Sequence, residues 1–275
     1  MRLGGPVYDY ASPDEWTAAL RAAGYRAAYC PVAAGADSAV VRAYAEAARA
    51  AGIVIAEAGA WSNPLSRNEA ERQAALEKCR AQLALADEIG ARCCVNIAGS
   101  TSEKWDGPDA GNLAPATFDL IVETVRSIID AVRPRRTVYA LETMPWAYPD
   151  TVDSYLALIE AIDRPAFGAH FDPVNLITGP RLYYTNGTLI GDAFERLGRW
   201  IKSCHIKDIR IESRLTVHLN EVRPGLGELD YRALLRCAAK TDPDLPLMLE
   251  HLPREEYAPA AAFVRETAAA LGLEL

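Results

Sequence analysis

Short apolar runs alternate with longer amphipathic segments along the whole chain, and the alternation repeats eight times. The runs at 2–8, 25–32, 53–60, 92–98, 137–143, 167–173, 201–208 and 245–251 read as strands. The segments at 13–23, 37–51, 68–89, 115–132, 151–162, 188–198, 230–239 and 256–271 carry the apolar spacing of helices. IVIAEAGA (53–60) and TVYALET (137–143) are almost continuously apolar, as parallel strands covered on two faces must be. Ser12-Pro13 offers an N-cap followed by proline at the first helical position, and Asp230 caps YRALLRCAA. Gly24, Gly52 and Gly90 stand where three helices need a left-handed residue to end.

Eight successive βα units predict an α/β protein, a closed (β/α)8 TIM barrel forming a single domain over 1–275. A doubly wound sheet would carry a glycine-rich loop after its first strand. Here that place is YDYASP, which cannot cradle a pyrophosphate.

Charge and composition narrow the function. The net charge is −8, with lysine and arginine scattered along the chain, so no basic stripe marks a nucleic-acid partner. No apolar run approaches the roughly 20 residues that span a bilayer, so no membrane role is expected. MRLGGPVYDY lacks the apolar stretch of a signal peptide, and a cytoplasmic location follows by default. The six cysteines include no C-x-x-C pair and read as reduced, buried thiols.

In a TIM barrel the chemistry sits at the C-terminal ends of strands. Glu142 in YALETMPW, Asp172 in GAHFDPVN, His205 in KSCHIKD and Glu250 in LMLEHLP occupy four such ends on successive strands. Strand alternation places Ala140 and Val138 on the side of Glu142, His170 and Gly168 with Asp172, Ser203 with His205, and Met248 with Glu250. The small residues Ala140, Gly168 and Ser203 are expected to leave space under the site. Three carboxylates and an imidazole converging on one mouth would repel without a cation. The oxygen-rich donor set suits Mn²⁺ best, with Mg²⁺ or Co²⁺ as further choices, rather than a structural zinc.

These motifs resemble the xylose-isomerase-like TIM-barrel superfamily, in its sugar isomerase/epimerase branch with the D-tagatose 3-epimerases and inositol-catabolism barrels. The resemblance rests on LETMPW, AHFDPVN, SCHIKD, RPGLGELDY (223–231), LMLEH and the segment SNPLSRNEAERQAALEKCRAQLALADEIGA. It implies that Glu142, Asp172, His205 and Glu250 hold the metal. It also implies that Glu142 and Glu250 serve as opposed acid/base groups on a keto sugar or related polyol, through a metal-stabilised enediolate. A dehydratase or lyase would begin with the same proton abstraction, and a non-catalytic sugar-binding barrel would use none. The apurinic endonucleases sharing this barrel need extra histidines on early strands, whereas this chain has His170, His205, His218 and His251. Two departures alter the substrate shell. Asn175 stands where the epimerases carry a substrate-contacting histidine, and Arg210 falls one residue before their arginine. A homodimer or homotetramer is the assembly the resemblance implies.

The remaining substrate candidates are Trp61 and Trp146 as stacking walls, Asn175, Lys207, Arg223 and His170. His170 reads equally as an orienter of Asp172 or a satisfied core histidine. Lys207 shares the face of His205, although a solvated lysine is the default expectation. Glu57, just before the end of its strand, could face the mouth, although an outward or capping acid is the default expectation, and Asp208 reads as half of a structural ion pair. Glu221, in or beside the loop at 223–229, is a further group that could reach substrate. The excursion TGPRLYYTNGT (178–188), with Arg181, Tyr183 and Tyr184, reads as a lid or subunit contact.

Overall fold

The computed structural model describes residues 1–275. Eight parallel strands close into a barrel: β1 (Arg2–Gly4), β2 (Ala27–Tyr29), β3 (Val54–Gly59), β4 (Cys93–Asn96), β5 (Val138–Glu142), β6 (Phe167–Phe171), β7 (Ile201–Ile206) and β10 (Pro246–Leu249). The seam joins β10 to β1 on one side and to β7 on the other. Helices α1 (Pro13–Ala22), α2 (Ser38–Ala51), α3 (Glu69–Ile89), α4 (Pro115–Val132) and α5 (Val152–Ile162) follow the first five strands in turn. After β6 come α6 (Pro180–Tyr184) and α7 (Asn186–Leu197). Helix α8 (Tyr231–Thr241) precedes β10, and α9 (Tyr257–Ala270) closes the chain. The single TIM-barrel domain expected from the alternation is what the chain forms.

Local chemistry sets the joints. Ser12 Oγ accepts the Glu15 amide, and Gly52 and Gly90 end α2 and α3 at φ 68° and 80°. Burial divides the strands into two faces. Tyr139 and Leu141 join the large cluster between sheet and helices, while Val138 and Ala140 pack inside the barrel with Cys93, Val95 and Trp61. The space beside Gly168 is filled rather than open: a Cβ there would meet Val138 Cγ2 at 2.6 Å and Lys202 Cγ at 3.2 Å. All six cysteines are free thiols. No helix is long and apolar enough to cross a membrane.

Two segments differ from the sequence expectation. The run 201–208 is not one strand. It ends at Ile206, and Asp208 opens an antiparallel hairpin of β8 (Asp208–Ile211) and β9 (Leu219–Val222) standing over the mouth-side end of the barrel. The excursion at 178–188 is helical: Tyr183 is buried, Tyr184 is exposed, and neither these nor Arg181 lines the cavity at the mouth.

Candidate metal centre

Each member of the acidic quartet is delivered by a strand end. Glu142 is the last residue of β5, Asp172 follows β6, His205 is the penultimate residue of β7, and Glu250 follows β10. These strands are adjacent in the barrel, and one ligand atom from each residue lies within 4.8 Å of the other three. His205 Nδ1 is 2.8 Å from Glu142 Oε1 and 3.0 Å from Glu250 Oε1. Its Nε2 is 2.9 Å from Glu57 Oε1, so a proton there is donated to Glu57 and Nδ1 is the nitrogen that faces the quartet. Asp172 is oriented by its own loop: Oδ1 accepts the amides of Val174 and Asn175 at 2.9 and 3.3 Å. The other oxygen, Asp172 Oδ2, and Glu250 Oε1 are buried and take no backbone hydrogen bond; what meets them is charge, from the ammonium of Lys207. One imidazole nitrogen and three carboxylates converging on a single point are a donor set that fits a hard divalent cation.

Electrostatics add a cation that the sequence left in solvent. Lys207 is buried, with Nζ 2.8 Å from Asp172 Oδ2, 2.6 Å from Glu250 Oε1 and 3.6 Å from Glu221 Oε2. Burial disfavours its charge, yet Asp172, Glu250 and Glu142 outweigh that and hold its pKa well above the ordinary value. Burial likewise opposes charge on His205, but Glu250, Glu57 and Glu142 raise its pKa well above 6.5. Glu142 and Glu250 are depressed despite burial, by His205 first and Lys207 after it. Asp172 goes the other way: complete burial, with the Glu142 and Glu250 charges, pushes its carboxyl up to about 6 against the pull of Lys207.

Glu57 is a correction of kind. It points into the barrel, where Oε1 holds His205 and Oε2 takes His170 Nε2 and Ser203 Oγ, both at 2.9 Å. A buried carboxylate needs this much compensation, and the two imidazoles draw its pKa below the usual range despite burial. His170 therefore braces Glu57 rather than Asp172. It is fully buried beneath the cavity and does not reach substrate space. Asp208 forms no ion pair: its two oxygens accept the amides of Ile209, Gly225, Gly227 and Leu229 and so fold the loop 223–229. That loop requires its glycines, since Gly225 sits at φ 93° and a Cβ on Gly227 would lie 2.3 Å from Asp208 Oδ1.

Above the quartet opens a cavity of about 480 Å³. Trp61, Trp146, Asn175 and Lys207 line it, as does Glu221. Trp61 lies with its ring centroid 6.0 Å from that of His205, and Trp146 Nε1 donates to the Asp106 carbonyl. Arg223 is turned away and pairs with Glu256 at 2.5 Å. Tyr8, Tyr29, Trp105 and Tyr257, which local sequence signals did not single out, complete the aromatic wall.

The model of a family described as xylose isomerase-like TIM barrel matches residues 17–267. No curated protein matches the sequence. Among solved structures, the chain is similar to D-psicose 3-epimerase with D-tagatose from Clostridium cellulolyticum, at 12% identity, with 100% of each chain covered and a TM-score of 0.69. It is similar to the probable 3-DHS dehydratase from Bacillus anthracis at 17% identity, with 94% of each chain covered and a TM-score of 0.69. It is also similar to endonuclease IV from Thermus thermophilus at 14% identity, covering 98% of this chain and 100% of that one, with a TM-score of 0.74. Three chemistries share the fold, so the choice among them falls to the side chains.

Proposed function

Because the chain belongs to the xylose isomerase-like TIM-barrel family, we propose that it is a divalent-metal-dependent isomerase or epimerase of an uncharged keto sugar or polyol. The observation that carries this reading is the placement of Glu142 and Glu250 around one histidine nitrogen at the floor of an aromatic cavity. Glu142, Asp172, His205 and Glu250 would hold the ion, with Mn²⁺ the best match to the donors and Mg²⁺ or Co²⁺ close behind. When bound, it would polarise a carbonyl and stabilise negative charge developing on its oxygen.

The protein's own groups do the rest. Glu142 and Glu250 enter from strands separated by β6 and β7, so they approach a molecule in the cavity from two sides. One carboxylate removes the proton next to a carbonyl, and the other returns a proton to the opposite face. Glu57 fixes the His205 tautomer. Trp61, Trp105 and Trp146 offer faces for sugar C–H groups and exclude water. Charge selects against anions: Asp106, Glu142, Glu221 and Glu250 line the mouth, no arginine does, and Lys207 is already committed to carboxylates. This argues for an unphosphorylated substrate and against a DNA backbone.

One observation favours a second reading. Lys207 sits 2.6 Å from Glu250 and has no counterpart on Glu142, so the two glutamates are not equivalent bases. A single-base elimination of water would use that inequality. Incubating ketohexoses, ketopentoses and inosose-type ketones with the Mn²⁺-loaded protein in D₂O separates the cases. Deuterium at the carbon beside the carbonyl, lost in Glu142→Gln, supports the isomerase or epimerase. New unsaturation moves the reading to a dehydratase. Binding without exchange or product leaves a sugar-binding barrel and refutes an enzymatic role.

A further inference from the structure

The opposite end of the barrel gathers charge that the metal chemistry does not use. Arg92 begins at the entry to β4, Arg135 and Arg136 stand in the turn between α4 and β5, and Lys202 is the second residue of β7. In sequence these cations are spread from 92 to 202, but the parallel strands bring all four to the rim of one cavity of about 480 Å³. None of its eleven lining residues is acidic. Asp242 pairs with Arg92 from outside. No acid side chain pairs with the other three: Arg136 Nη2 donates to the Glu88 carbonyl at 2.6 Å and Lys202 Nζ to the Arg199 carbonyl at 3.0 Å. The Arg135 guanidinium makes neither an ion pair nor a hydrogen bond.

One carboxylate gathers the turn that carries the two arginines. Asp87 Oδ1 accepts the amides of Arg135, Arg136 and Thr137 at 2.8, 2.6 and 3.3 Å, which fixes the directions from which both guanidiniums leave. Lys202 is half-buried, and its pKa is lowered by that burial and then by Arg92. Four cations share this rim against the one acid side chain that pairs with them, Asp242, and an anion in the cavity would offset their mutual repulsion.

We propose that Arg92, Arg135, Arg136 and Lys202 form a second binding site, at the N-terminal end of the barrel, for a small multivalent phosphate-type anion. Guanidinium forks match phosphate oxygens two at a time; the site offers three of them, from one strand entry and one turn, and adds the Lys202 ammonium from a second strand entry. The concavity is bounded by residues 90–92, 134–138, 165–166 and 202, so it accepts a compact ligand rather than a polymer that needs an open stripe. The proposal is independent of the reaction at the mouth.

Thermal melts of the resin-demetallated protein test it, with inorganic pyrophosphate, inorganic phosphate and a phosphate monoester as separate arms against sodium chloride of equal ionic strength. Pyrophosphate at ten times its dissociation constant is expected to raise Tm by about 3 °C. The rise is expected to vanish in Arg135→Gln/Arg136→Gln and to shrink in Lys202→Gln, while anion-free melts of these solvent-side variants stay near wild type. Equal rises with pyrophosphate and the monoester point to a phosphorylated metabolite as ligand, and a rise with inorganic species alone points to free phosphate or pyrophosphate. No rise in the wild type overturns the site. A rise that survives the arginine variants, or that disappears instead in Lys207→Met, places the anion elsewhere and overturns it too.

Discussion

Replacing Lys207 with methionine removes one positive charge from the floor of the cavity and keeps most of the side-chain volume. In the metal-free protein Nζ lies 2.8 and 2.6 Å from Asp172 Oδ2 and Glu250 Oε1, two acceptors that an ion would need. An ion coordinating those oxygens at about 2.1 Å would lie no more than about 5 Å from Nζ. At an effective dielectric of about 20, a divalent ion and an ammonium at that separation repel by about 7 kcal/mol. The lysine stem is flexible and relaxes much of this, so a tightening of Mn²⁺ binding by at least about tenfold, or 1.4 kcal/mol, is the expected outcome. The metal-free variant pays the opposite cost. Glu142, Asp172 and Glu250 then face one another with only His205 to offset them, and its Tm should fall and be restored by Mn²⁺. Calorimetric titration of Mn²⁺ into wild type and Lys207→Met, paired with melts of each, reads both effects. Unchanged or weaker Mn²⁺ binding in a folded Lys207→Met protein would refute the competition and the placement of the ion among these four residues.

Glu57→Gln leaves His205 free to adopt either tautomer, and Mn²⁺ affinity by the same titration should weaken by about 10- to 100-fold with the melting curve of a folded protein. Asp172→Asn should abolish Mn²⁺ binding by the same titration. A carboxyl raised from 3.8 to about 6 destabilises the fold when ionised, and about 3 kcal/mol is the ceiling. Its folded pKa lies above the unfolded one, so the wild type loses this stability as pH rises from about 4 through about 6. Denaturant melts of the metal-free wild type should show this loss between about pH 4 and pH 6, and Asp172→Asn should lack that step. Asp208→Ala strips the acceptor from four backbone amides and should cost about 2–4 kcal/mol in denaturant melts, with faster proteolysis between 223 and 229.

The sequence was most readable where the signal is local. Eight strands and their helices are visible because each apolar run and each cap lies within a few residues, and the ends of α2 and α3 at Gly52 and Gly90 fall where the glycines stand. The quartet is legible because alternation and strand ends place its members without knowledge of distant partners. The misplaced groups all depend on partners far along the chain. Glu57 lies in a strand whose pairing with β2 shifts register after Ala28, and its burial is tolerated only because β6 and β7 bring His170, Ser203 and His205. Lys207 was assigned the correct face but not its burial, since Asp172 and Glu250 come from different strands. Asp208 looked like half of an ion pair because its four amide donors lie up to 21 residues away.

The four strands carrying the quartet include β10, which is the last to be synthesised and the one that seals the barrel against β1. Glu250 therefore reaches the other three only when the seam has formed. A nascent or partly opened chain would present at most Glu142, Asp172 and His205, and would have a correspondingly weaker hold on an ion. Metal capture would then act as a latch on ring closure, drawing the final βα unit into place and penalising any opening of the seam.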